Sequence, residues 1–126
     1  MRRGAKQSLA MSFRHAFEGV DFVIRSERNA RIHLLVACLV ILLGLWLGLD
    51  RVSWALIGTA IAMVFVGEMV NTVVELTIDL IMPEQHHLAK YAKDVAAGAI
   101  LVSSIAAAVI GLLILGPPLL ERIGWG

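Results

Sequence analysis

Four polar residues inside an otherwise apolar stretch carry the first chemical signal. In GEMVNTVVELTIDL, Gly67 to Leu80, the residues Glu68, Asn71, Glu75 and Asp79 fall at i, i+3, i+7 and i+11. At 100° per residue they share one helix face, with Thr72 beside it. A poorly solvated carboxylate accepts a proton from a hydroxyl. Carboxylates at an aqueous edge hold a hard divalent cation through oxygen ligands. Asn71, one turn from Glu68, supplies an amide that orients a ligand and a carboxylate together. For Glu68 the competing reading is an interhelical hydrogen bond, and for Asp79 a solvated helix end. The same charge pattern also allows a small ion-coupled transporter built on Glu68, or a noncatalytic membrane scaffold.

The elements that must position this face are membrane helices. Of 126 residues, 59% are hydrophobic and 17% charged, against about 25% charged in soluble domains. Ile32–Leu49, Val52–Gly67 and Val95–Leu120 carry no Asp, Glu, Lys or Arg, and about 20 apolar residues span a bilayer core. A soluble enzyme and a nucleic-acid module are excluded. Low aromatic content and the lack of period-2 alternation exclude a β-barrel. The single Cys38 allows no disulfide within one chain. The N-terminus has no continuous apolar core and is not read as a cleaved signal peptide.

The expected fold is an all-α membrane protein, one domain over 1–126, with an amphipathic surface helix at 6–28 and transmembrane helices at 31–49, 52–82 and 88–115. In the first, Phe13, Phe17, Val20 and Ile24 form an apolar stripe beside a charged one of Arg14, Glu18, Asp21, Arg25 and Arg28, a pattern that suits the membrane interface. Asp50-Arg51 makes a tight turn. Pro83 stops the third helix, and Gly116-Pro117-Pro118 is expected to terminate the fourth. Residues 1–31 hold seven basic residues, and Lys90 and Lys93 adjoin the second polar region, against Arg51 and Arg122 opposite. The positive-inside rule puts the N-terminus in the cytoplasm. A helix entering at Val52 brings Glu68 roughly 24 Å along, near the edge of a core about 30 Å thick. Glu75 and Asp79 then reach water.

Lesser signals flank this face. Lys90 and Lys93 place positive charge on the same membrane side, as phosphate and magnesium chemistry requires. Neither a P-loop nor a kinase catalytic-loop motif is present. His86-His87 beside Glu84 lacks metal-ligand spacing and fits hydrogen bonding to a phosphate or nucleotide. His33 reads as a satisfied interfacial histidine. Ala99, Ser103, Ala107 and Gly111, at steps of four, permit close helix approach, and three spans leave few partners for the polar face, so self-association is expected.

RSERNARIH (Arg25–His33), GEMVNTVVELTIDL and PEQHHLAKYAKDVAAGA (Pro83–Ala99) together resemble the prokaryotic diacylglycerol kinase and undecaprenol kinase family. The resemblance runs from about Phe13 to Leu115. It implies a homotrimer of the bacterial inner (plasma) membrane, multi-pass, with active sites shared between subunits at the cytoplasmic face. It implies phosphorylation of a lipid alcohol by ATP with Mg2+. Glu68 matches the family's catalytic base, and Glu27 and Glu75 its metal-holding glutamates. Asn71, Glu84, His86, Lys93 and Asp94 match positions that contact nucleotide or order the site. The arginine and tyrosine that touch nucleotide and lipid in the diacylglycerol branch align with Ser8 and His15. Lys6, Arg14 and His15 are therefore the candidates for those contacts. FRHAFEGV and LAKYAKDVAAGAIL look closer to the undecaprenol kinase branch, which favours undecaprenol over diacylglycerol as acceptor.

Overall fold

A computed structural model describes residues 8–125 as four helices: α1 (Leu9–Ser26), α2 (Arg28–Leu47), α3 (Arg51–Ile81) and α4 (His87–Arg122). Lys6 lies outside the described residues. The three later helices are long and apolar enough to cross a membrane. At 1.5 Å per residue, α3 is about 46 Å long, longer than a core of about 30 Å. It therefore exceeds the hydrocarbon, and its charged residues Glu75 and Asp79 fall in its last two turns.

Local chemistry sets each boundary. The Ser8 hydroxyl accepts from Met11 N and caps α1. One extended residue, Glu27 (φ −107°, ψ 115°), separates α1 from α2, so α2 begins three residues before the expected 31. The elbow is held by Arg31, whose Nη1 donates to the carbonyls of Ile24 (3.2 Å) and Arg25 (2.7 Å). These are end-of-helix acceptors with no intrahelical donor. At the far end Gly48, in the left-handed region at φ 69°, closes α2 by donating its N–H to Gly44 O, a conformation other residues adopt at a cost. The Asp50 carboxylate then caps α3 by accepting from Ser53 N at 2.9 Å, and hydrogen bonding from the Ser53 side chain first and its backbone N–H second holds that carboxyl below the usual range.

The expected stop at Gly116-Pro117-Pro118 is corrected: α4 continues through both prolines to Arg122. Each proline lacks the N–H that a helix needs four residues on. Gly116 has no Cβ to crowd the ring of Pro117, and membrane helices tolerate such gaps. The last turn is also anchored from outside, because Arg122 Nη2 donates to Trp46 O at 2.7 Å while its guanidinium lies 4.9 Å from the Trp46 ring centroid.

Small residues decide how the helices approach. On α2, Ala30, Ala37 and Gly44 are buried at seven-residue steps. On α3 the buried face is Ile57, Ala60, Val64, Gly67, Glu68, Asn71 and Thr72, a three-four alternation that keeps one side facing its neighbours. A Cβ on Gly67 would touch Ser103 Oγ at 3.5 Å, so one rung of the small-residue ladder on α4 packs inside the chain. Large side chains such as Leu35, Leu42, Leu101 and Leu112 point outward, each more than half exposed, as hydrocarbon solvent permits. On α1, Phe13 and Phe17 are exposed and Val23 is buried, so the final turns pack on the bundle while the aromatic stripe stays uncovered.

A Cβ on Gly44 would lie 2.8 Å from the Trp54 ring and 2.9 Å from Leu49 Cδ1. Alanine there gains about 1 kcal/mol of helix propensity, which offsets part of the clash. Gly44→Val adds two further methyls, and overpacking of this kind costs about 1–3 kcal/mol. Its unfolding midpoint in detergent is expected to fall, with altered Trp54 fluorescence. An unchanged midpoint contradicts this close approach.

Candidate active site

Glu68 is fully buried. Among the described residues neither of its carboxylate oxygens has a hydrogen-bond partner. His33 Nε2 stands 3.2 Å from Oε1, within reach but without hydrogen-bond alignment. Buried polar atoms are almost always paired, and exceptions call for a reason such as a catalytic role. Among the described residues Oε2 has no partner, and Oε1 has only the His33 ring beside it.

Around Glu68 the elbow and one face of α3 converge. The Thr72 hydroxyl donates to the Glu68 carbonyl at 2.9 Å and lies 3.4 Å from Glu27 Oε1. That contact ties the single extended residue between α1 and α2 to the middle of α3. One turn beyond, Asn71 Nδ2 donates to Glu75 Oε1 at 3.2 Å. Glu27, Glu68, Asn71 and Glu75, expected as one site, are thus gathered at one end of the bundle. No group of three Asp, Glu, His or Cys side chains at metal-ligand spacing occurs among the described residues.

The remaining nucleotide candidates form a second, wetter cluster. A groove of about 640 Å³ beside the α3–α4 loop is lined by Asp79, Glu84, His86, Lys90, Lys93 and Asp94, among others. Lys93 Nζ meets Asp79 Oδ1 at 2.6 Å, and Lys90 Nζ meets Asp94 Oδ2 at 2.6 Å. His86 caps α4 by accepting from Leu88 N, and it stacks on His87 at 4.5 Å. Asp79 follows Glu75 by one turn of α3, about 6 Å, so the helix links the dry cluster to the wet one.

Arg14 and His15 are not brought to this site within the chain. Both are exposed and engage Glu18, at 3.3 Å and 3.4 Å, and Arg14 is roughly 20 Å along α1 from Glu27. Ser8 is an exposed helix cap. Conversely, His33 and Thr72 belong to the site without having been singled out for it. His33 falls three residues after Ala30 and four before Ala37, on the small-residue face that α2 turns inward.

Thr72→Val removes the donor shared by the Glu68 carbonyl and Glu27. A typical hydrogen bond contributes about 0.5–1.5 kcal/mol, so a fall of about 1 kcal/mol in unfolding free energy is expected, with Thr72→Ser close to wild type. Equal stability of valine and serine variants contradicts the fastening.

Residues 14–115 match the family described as prokaryotic diacylglycerol kinase. The chain is similar to the undecaprenol kinase of Bacillus subtilis, with 43% identity over 108 residues, covering 86% of this chain and 88% of that protein. It is similar to the diacylglycerol kinase of Synechocystis sp., with 39% identity over 125 residues, covering 96% and 71%. The diacylglycerol kinase of Escherichia coli is 25% identical over 101 residues, covering 80% and 83%. The matched span takes in most of α1, all of α2 and α3, and α4 as far as Leu115, with Glu27, Glu68, Asn71, Glu75 and Lys93 inside it. The chain belongs to the prokaryotic diacylglycerol kinase family, a family of lipid kinases.

Proposed function

We propose that the protein phosphorylates the primary hydroxyl of a membrane lipid alcohol, with ATP as donor and Mg2+ as cofactor. We assign undecaprenol as the favoured acceptor and diacylglycerol as the second. The observation that carries the reading is the fully buried carboxylate of Glu68, which has His33 beside one oxygen and no aligned hydrogen bond among the described residues. Nine basic residues on the side of α1 and the α3–α4 loop, against two opposite, support a cytoplasmic site in the bacterial plasma membrane. The resemblance of the sequence to the family supports a homotrimer with shared sites. No observation favours the ion-coupled transporter.

In this mechanism Glu68 takes the acceptor's hydroxyl proton as its oxygen forms a bond to the γ-phosphorus of ATP, and the bond to the bridging oxygen of ADP breaks. Phosphoryl transfer asks mainly for alignment and charge stabilisation, so few groups suffice. Lys93 and the loop groove lie where the polyphosphate approaches from water. Glu27 and Glu75 each engage one carboxylate oxygen with a neighbour and leave the other without one among the described residues. Two such acids suit Mg2+, which commonly takes one or two carboxylates together with phosphate oxygens and water. The ion supplies charge neutralisation on the phosphates when bound.

The acceptor preference has two supports. The relative from Bacillus subtilis is an undecaprenol kinase. An apolar groove of about 540 Å³ between α2, α3 and α4 begins at His33 and runs along Val64 and Phe65. Its walls are apolar apart from His33 and Ser104, so ester carbonyls placed along the rest of it find few donors, which penalises diacylglycerol more than an isoprene unit.

Purified protein given ATP, Mg2+ and both lipids at equal mole fraction in one micelle preparation should phosphorylate undecaprenol at least as fast as diacylglycerol. A preference above about tenfold for diacylglycerol, or about 1.4 kcal/mol, overturns the acceptor assignment, and no phosphorylated lipid at all overturns the kinase. Glu27→Ala and Glu75→Ala should raise the Mg2+ concentration for half-maximal rate about tenfold or more, or abolish activity. Magnesium titrations superimposable on wild type remove these residues from the metal site.

A further inference from the structure

The mechanism above leaves one buried-site group unused. His33 is half-buried on the inward face of α2, its ring edge at Glu68 and its flank on the apolar groove. A carboxylate without an aligned hydrogen bond is weakly oriented about its terminal torsion, since the well for such torsions is broad. Reaction with a hydroxyl requires one oxygen held in a defined direction within a few tenths of an ångström. Among the described residues, the one basic side chain within 4 Å of the carboxylate is His33, its Nε2 at 3.2 Å from Oε1. Thr72 spends its proton on the Glu68 carbonyl and on Glu27, and Asn71 donates to Glu75. The His33 N–H is off line in the free protein, as catalytic hydrogen bonds frequently are before substrate binds.

We propose that His33 is a positioning residue: its Nε2–H fixes Glu68 Oε1 and thereby aims Glu68 Oε2 at the acceptor hydroxyl arriving from the groove. The assignment rests on the reading of Glu68 as the proton acceptor of a lipid kinase. His33 needs the tautomer with hydrogen on Nε2. It contributes through orientation, so it acts on turnover and not on nucleotide binding. Its position at the head of the groove ties that orientation to the side from which the lipid enters. The nucleotide groove beside the α3–α4 loop contains no contribution from α2, which is why the two effects separate.

The test compares His33→Ala, His33→Gln and His33→Leu in micelles, each with a full titration of ATP and lipid. Glutamine places an amide N–H near the position of Nε2, whereas leucine keeps bulk without a donor. Wild-type phosphorylation of lipid is the reference: its absence sinks the kinase reading itself and is distinct from any result on His33. With wild type active, His33→Ala and His33→Leu should lose at least tenfold in kcat while KM for ATP stays within about twofold. His33→Gln should recover most of the loss, to within about threefold of wild type. If His33→Ala does not fold, the leucine and glutamine pair makes the same comparison. The proposal is overturned by kcat within twofold of wild type in the alanine or leucine variant. It is equally overturned by a folded glutamine variant as slow as leucine, or by a loss that appears in KM for ATP alone.

Discussion

The burial of one carboxylate governs this architecture. Burying an ionisable side chain away from water is costly, and Glu68 is fully covered, with His33 beside one oxygen and no aligned hydrogen bond among the described residues. Such a site persists only where the surrounding packing is tight enough to hold it. The chain meets that demand with small residues. Ala30 and Ala37 on α2 bring its backbone close, and Gly67, adjacent to Glu68, lets α4 lie against α3 at Ser103 and Ile100. The elbow at Glu27 then folds α1 back so that one acid from outside the spans meets Thr72 beside the buried one.

Length on α3 converts that single burial into a graded site. Its 31 residues exceed what a hydrocarbon core of about 30 Å accommodates. The same face therefore passes from apolar packing at Ile57 and Ala60, through Glu68, to Glu75 and finally to the exposed Asp79–Lys93 pair. In the proposed reaction a lipid hydroxyl and a water-soluble nucleotide arrive from opposite ends of this gradient. One helix face gives both a place without any large domain, and preorganised polar groups in a water-poor site act strongly on developing charge. The exposed Lys93–Asp79 and Lys90–Asp94 pairs add little to stability. They hold charged groups in place at the mouth of the nucleotide groove.

Much of this was legible in the sequence because its signals are local and periodic. The Glu68–Asn71–Glu75–Asp79 spacing fixes a helix face regardless of tertiary context, and long uncharged runs fix the spans. The turn at Asp50 was legible because capping is a short-range matter. Two features were not. Gly116-Pro117-Pro118 reads as a terminator by local rules, yet a contact from Arg122 to Trp46, 76 residues away, keeps the helix going. His33 reads as an ordinary interfacial histidine until its place on the Ala30–Ala37 face is joined to the depth of Glu68 on another helix. Both depend on which helix lies against which, and no periodicity within one segment encodes that.

Glu68→Gln tests most directly whether Glu68 accepts the acceptor's proton. The amide keeps shape and burial but cannot take the proton, and a general base contributes about 10²–10⁴-fold. The account predicts formation of phosphorylated lipid, quantified by mass, at least about a hundredfold slower than wild type, with ATP affinity and unfolding midpoint retained. Turnover within about threefold of wild type, with the same product, contradicts it.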